Sequence, residues 1–272
     1  MSGEHCLPSL FANPPWRGGA SRYRIGLTPV EADCWLPLIA DAATRERKLA
    51  LYRDCYADVV QALPGHDTAQ ELLVQALERG GERPVPRRWP HAIADAALLV
   101  PDDLCLMVDA GKGYRLVAAS LCAPTYWRLA DKLGADLRAL HAGHAGLVDS
   151  LGARMTDVFM RLPMHRVLER RNWFLYSESA LYSPQASPQP DTCPFEALFV
   201  RSERQTLRRL APDCIVFTIR VSLEPLAAIR DWPESAKDMA VSLRRLTSIE
   251  QQAFSQRHRL PELLSWLDGV AG

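Results

Sequence analysis

The chain carries no net charge: its 32 lysines and arginines match its 32 aspartates and glutamates. That balance excludes a protein steered by its overall field toward nucleic acid or an anionic membrane surface. No apolar run approaches the roughly 20 residues of a membrane-spanning helix. Residues 1–8 lack the basic-then-apolar order of a secretory leader, which sets the expectation of a cytoplasmic protein. Cysteines are odd in number and scattered, at positions 6, 34, 55, 105, 122, 193 and 214, with no Cys-x-x-Cys pair. This excludes a disulfide framework and a zinc or iron–sulfur knuckle and predicts reduced thiols. Cys105, Cys122 and Cys214 lie in apolar runs and read as core. Also absent are the Gly-x-Gly-x-x-Gly fingerprint, the phosphate-binding P-loop, the Gly-x-Ser-x-Gly elbow and the His-Glu-x-x-His zinc motif. No internal repeat or low-complexity segment is present.

What the sequence does contain is a change of period along its length. Residues 1–22, with Asn-Pro-Pro and Gly-Gly, read as a poorly ordered arm ahead of one domain over 23–268. From about 29 to 79 the pattern is helical. Leu49, Tyr52, Tyr56, Val59, Val60 and Leu63 share a face before Pro64-Gly65, and a second helix over 69–77 follows a possible cap at Asp67 or Thr68. The centre shifts to period two. Residues 104–108, then 114–123 after the turn Asp109-Ala-Gly-Lys-Gly, form a hairpin pattern. An amphipathic helix over 147–162 leads to three further strand candidates over 167–176, 197–203 and 215–223, and helix returns from 225 to 267. Five strands in hairpin-like order, split by one insertion, predict an antiparallel sheet with N- and C-terminal helices flanking it. The fold class is α+β.

Three constellations could carry chemistry. Four arginines, Arg201, Arg204, Arg208 and Arg209, crowd with Glu203 between two strand-like runs. In a neutral chain this local charge asks for a carboxylate or phosphate, or forms ordinary surface ion pairs. Alternation puts Arg201 and Glu203 on one strand face, with Ser202 and Arg204 on the other, so one face could point into a ligand cavity. His141 and His144, flanked by Ala and Gly, are either metal or haem-iron ligands or a pair of solvated imidazoles. Arg171-Asn172-Trp173 lies inside a strand pattern, where Asn is unfavourable unless it has a hydrogen-bonding task.

Several of these segments, in order, carry a resemblance: Asp102-Asp-Leu-Cys-Leu-Met, the run 114–127, Asp131-Lys-Leu-Gly with Leu140-His141, Arg171-Asn-Trp-Phe-Leu-Tyr, the arginine run 201–210, and Val216-Phe-Thr-Ile-Arg with Glu224-Pro-Leu. Across residues 22–260 the chain resembles the haem-dependent oxidative N-demethylase α-subunit-like family. The resemblance implies a PAS-like five-stranded antiparallel sheet enclosing haem b. It implies O2-dependent removal of a methyl group from a small secondary amine such as dimethylamine, with release of formaldehyde and electrons from a separate flavin/iron–sulfur reductase. By position His141 becomes the axial iron ligand, Arg201, Arg204 and Arg208 the partners of the haem propionates, and Arg171, Asn172 and Glu203 the candidate cavity and catalytic residues. No nucleic-acid or membrane partner is implied.

The chain departs from the pattern after its histidine. A proline-containing turn is replaced by Ala142-Gly-His144-Ala-Gly, which frees φ angles that proline would fix. The added His144 is an alternative or second iron ligand. A haem held by both imidazoles belongs to a sensor or an electron-transfer protein, the alternative reading to an oxygenase.

Overall fold

A computed structural model describes residues 9–22, 24–36, 39–80, 84–140, 147–164, 166–186 and 192–272, without the side chains of residues 80 and 147–153. His141 and His144 lie outside the described residues.

Among the described residues the fold is α+β, built on one antiparallel sheet of seven strands. The strands are β1 (Thr28–Val30), β2 (Val60–Ala62), β3 (Asp103–Asp109), β4 (Tyr114–Ser120), β5 (Val167–Tyr176), β6 (Phe199–Ala211) and β7 (Cys214–Pro225). Their order across the sheet is β1-β5-β6-β7-β3-β4-β2. The expected five strands are all there, but the count is seven and the sheet is open. The additions, β1 and β2, are three-residue edge strands, too short to show a period. β1 contains Pro29, tolerated at an edge because it leaves no central ladder bond unmade.

The hairpins follow local chemistry. Between β3 and β4 the Asp109 carboxylate accepts from the amides of Gly111 at 2.8 Å and Gly113 at 2.9 Å. Both glycines have φ near +85° to +88°, a conformation that carries a steric penalty for side chains. The arginine run is not a turn. β6 continues straight through it to Ala211 and turns only at Pro212-Asp213, because each arginine finds a partner on one face or the other.

One sheet face is covered in two halves. The helices α1 (Ala42–Val59), α2 (Asp67–Gly80) and α3 (Ala92–Ala97) pack over β3, β4 and β7 through Tyr52, Leu73, Ile93 and Leu106. Asp41 caps α1 by accepting from the Thr44 amide at 2.6 Å. The helix expected to carry a face on to Leu63 ends at Val59, and Val60 to Ala62 pair as β2 instead. Lys48 of α1 is wholly buried, and its ammonium donates to the carbonyls of Ala97, Val100 and Asp102 at 2.7–3.0 Å. The other half is covered by α7 (Pro233–Arg244) and α9 (Leu260–Ala271), through Met239, Leu243 and Leu263, with the short α8 (Ser248–Gln252) between them in the chain. The N-terminal segment joins this half. Trp16 is buried with its indole N–H on the Ser235 carbonyl at 2.8 Å, and its ring lies 5.0 Å from that of Trp173. Residues 9–22, expected as a poorly ordered arm, lie against this half of the fold, with Phe11 and Trp16 buried in its apolar cluster.

The opposite face carries the crossover from β4 to β5: α4 (Leu129–Lys132), α5 (Leu137–Leu140) and α6 (Leu147–Arg161). Phe159 and Leu162 pack onto Tyr114, Leu116, Leu207 and Ile215. Arg209 fixes the far end of α6. It donates to the Leu162 carbonyl at 2.6 Å and to that of Phe159, so a cation meets the open carbonyls of a helix C-terminus. Among the described residues no helix is long and apolar enough to cross a membrane.

Candidate functional site

Beneath this crossover lies a cavity of about 400 Å³, within the range of small-molecule and cofactor sites. Its floor is the alternate residues of β5 and β6: Arg170, Asn172, Phe174 and Tyr176 from one strand, Glu203, Gln205 and Leu207 from the next. Period two explains the selection, since the intervening residues face the helices on the other side. Met107, Leu116, Phe217 and Ile219 extend the floor, and Val158 and Phe159 of α6 form the roof. Leu140, which directly precedes His141 in the chain, is part of the wall. Arg22, Arg24 and Leu27 enter from the N-terminal segment.

A polar relay runs along one side. Arg201 donates from Nε to Thr125 Oγ1 at 2.8 Å, Thr125 donates to Glu203 Oε1 at 2.8 Å, and Gln205 donates to Glu203 Oε2 at 2.8 Å. Glu203 is thus held in one orientation with both oxygens engaged, and it is the sole acid among the described lining residues. Tyr126 and Tyr176 meet edge to face with ring centroids 4.7 Å apart. Tyr126 has φ +58°, the single positive φ of a non-glycine residue in the described chain, and its amide donates to the Ser183 carbonyl at 2.8 Å. A bulky residue held left-handed costs of order 1–3 kcal/mol, and such strain collects at functional sites. Burial pushes the Tyr126 phenol up to about 12, with Glu178 adding to the shift and Arg201 opposing it. Burial also raises Tyr176. Both rings therefore present protonated phenols to the cavity at neutral pH.

The residues singled out in the sequence separate sharply. Asn172 and Glu203 line the cavity. Arg171 does not: it points to the other face, to Glu169 at 3.3 Å and the Asn13 carbonyl at 3.1 Å, as the neighbour of two cavity residues in a strand must. Arg201 is 2% exposed and spends its donors on Thr125 and the carbonyls of Ala123, Pro124, Ala180 and Leu181 at 2.8–3.1 Å. Arg204 lies on the far face, donating to Glu169 and to the carbonyls of Cys34 and Trp35. Arg208 lies there too, its guanidinium 4.3 Å from the Trp35 ring centroid. The arginine run is thus a set of internal ties, and none of its members borders the cavity.

Among the described lining residues the cations are instead Arg22, Arg24 and Arg170. Arg22 is buried against the Phe174 ring at 4.5 Å. Arg170 has a buried Nε with no hydrogen-bond partner among the described residues. Desolvation lowers its pKa and the charge of Glu203 opposes that shift, but a guanidinium keeps its proton. These residues were missed in the sequence because each stands apart from the dense motif. The usable signal was the alternation that ties Arg170, Phe174 and Tyr176 to the face of Asn172.

The family model for haem-dependent oxidative N-demethylase, alpha subunit-like, proteins matches residues 76–260. The chain belongs to this family. The matched stretch contains β3 to β7, the crossover helices and every floor residue of the cavity. Arg22, Arg24 and Leu27 precede it. No curated protein matches the chain. Among the described residues no cluster of three His, Cys, Asp or Glu side chains forms a metal site.

Proposed function

We propose that the cavity under α6 seats haem b and that the chain is the haem-carrying component of an oxidative N-demethylase acting on a small secondary amine of the dimethylamine kind. The observation that carries the reading is the cavity itself: about 400 Å³, walled largely by aliphatic and aromatic groups, yet bordered by three arginines and one carboxylate. A flat apolar ring with acidic side arms fits such a lining, and the partnerless Arg170 Nε supplies a donor for it.

His141 is the proposed axial ligand, next in sequence to the wall residue Leu140. When bound, the haem supplies oxidation of the amine's methyl group to formaldehyde by O2, with an electron pair from a separate flavin/iron–sulfur reductase. The chain's own residues supply binding and orientation. Glu203 offers a fixed negative charge to a substrate ammonium, its orientation set by Thr125 and Gln205. Tyr126 and Tyr176 offer protonated hydroxyls, and Asn172 a neutral amide. Val158, Phe159 and Phe217 keep water from the reacting centre.

The test is an absorption spectrum of the protein expressed with haem supply, as isolated and after dithionite, with formaldehyde release from dimethylamine as the second readout. The expected result is a Soret band that His141→Ala removes or shifts. Absence of haem uptake sinks the reading. His144 favours a second reading, a haem sensor or electron-transfer protein held by both imidazoles. That reading predicts a low-spin spectrum that His144→Ala converts to high spin, without formaldehyde release.

A further inference from the structure

The geometry points to Arg170, aided by Arg24, as the carboxylate clamp of the cavity, in place of any arginine of the run 201–209. The inference rests on the haem reading above and names the residues that would receive the cofactor's acidic side arms. Three observations support it. Counting described lining residues, the three guanidinium groups of Arg22, Arg24 and Arg170 face a single carboxylate, Glu203, so the wall carries an excess of two positive charges. That excess matches the pair of carboxylates on a haem. Next, the one acid does not answer Arg170: no hydrogen bond or ion pair joins them among the described residues, and the Glu203 oxygens accept instead from Thr125 and Gln205. A buried guanidinium nitrogen left without a partner is destabilising, so it is retained where a ligand completes it. Finally, the arginines of the run are already spent. Arg201 holds four carbonyls, Arg204 holds Glu169, Arg208 stacks on Trp35 and Arg209 closes α6.

The two cations differ in setting. Arg170 stands mid-strand on β5, opposite Gln205 in the ladder, and its position is fixed by the sheet. Arg24 is exposed at the cavity edge, on the segment that leads into β1. Arg22, two residues before Arg24 in the chain, lies against the Phe174, Trp173 and Phe254 rings. A rigid inner guanidinium and an exposed outer one suit a ligand whose acids sit on one edge of an apolar ring. The fork of arginine matches a carboxylate through paired donors, which lysine cannot reproduce.

The experiment titrates the purified full-length chain with haemin and, separately, with haemin dimethyl ester, whose carboxylates are blocked, following the Soret absorbance. The wild type is expected to bind haemin about tenfold to a hundredfold more tightly than the ester, the range for loss of charge-assisted hydrogen bonds. Arg170→Met should lose most of that preference by weakening haemin and not the ester. Arg24→Ala should lose a smaller part. Arg208→Ala, on the other face, should keep it. Thermal melting checks that each variant folds, and Arg170→Lys, which retains charge without the fork, serves if the methionine variant does not. An equal loss of both ligands in Arg170→Met, or no loss of preference, overturns the clamp while leaving the haem reading intact. A wild type that binds both ligands alike also overturns the clamp. Uptake of neither ligand by the wild type overturns both.

Discussion

Arg201 reaches Thr125 Oγ1 across 2.8 Å, joining two residues 76 positions apart. The same guanidinium binds carbonyls on the segment after β4 and on the segment after β5, so one side chain ties the start of the crossover to the β5–β6 connection beside the cavity.

Removing that guanidinium leaves several buried acceptors without donors. Arg201→Met is expected to lower stability by more than about 3 kcal/mol, since each unsatisfied buried group costs about 1–3 kcal/mol. Arg201→Lys should rescue little of it, because an ammonium cannot span acceptors arranged for a planar fork. Urea unfolding midpoints measure both. A loss under 1 kcal/mol in the methionine variant would contradict the role.

The positive φ of Tyr126 gives an order among substitutions. Tyr126→Asn and Tyr126→Val both lose the contact with Tyr176, but asparagine tolerates a left-handed backbone and a β-branched residue does not. The valine variant is expected to be the less stable of the two, by about 1 kcal/mol or more. Calorimetric melting of the pair decides it, and equal stabilities would mean the turn relaxes.

Alkaline stability follows from the same tyrosine. Its folded pKa is about 12 against an ordinary 10.0, so between these values the unfolded chain has released a proton that the folded chain still holds. Proton loss then favours unfolding, and stability falls as pH rises from 10.0 toward 12. One such group contributes a slope of at most about 1.4 kcal/mol per pH unit. Tyr126→Phe should flatten part of the fall in denaturant midpoints measured between pH 9.5 and 11, a range set by about one unit around the ordinary phenol value. An unchanged slope would show that Tyr126 contributes no linkage.

Asp102 and Arg220 form a buried pair, with Oδ2 at 2.6 and 3.0 Å from two guanidinium nitrogens. Asp102 is 0% exposed and its Oδ1 has no partner among the described residues. Asp102→Ala should cost about 3–5 kcal/mol by stranding the arginine charge. Replacing both, as Asp102→Leu with Arg220→Leu, should recover most of the loss. A double mutant no more stable than the single one would assign the pair a role beyond mutual neutralisation.

The sheet was legible because its long strands alternate cleanly, and the helix over α6 because its apolar residues repeat at helical spacing. The edge strands were not: β2 continues a helical pattern without a break in sequence, and its strand state comes from pairing with β4. At the site, alternation identified the face of Asn172 and Glu203. What misled was charge density. A cluster of arginines reads as a ligand site, whereas here neighbours in sequence point to opposite sides and are consumed by carbonyls, an acid and a ring. Tyr126 carries no local signature, because its setting is created by contacts distant in the chain, and Arg170 was marked only by its alternation with Asn172.

The contact of Trp16 with Trp173 has a consequence for how the molecule can be divided. Trp173 lies between Asn172 and Phe174, so the tryptophan pair braces from behind the strand whose front borders the cavity. A fragment trimmed to the family's common stretch, residues 76–260, would lose that brace, both edge strands, α1 and most of α9. Its sheet would be left with raw edges and uncovered apolar surface. The matched stretch is the interior of this fold and not a module that could be cut out and moved.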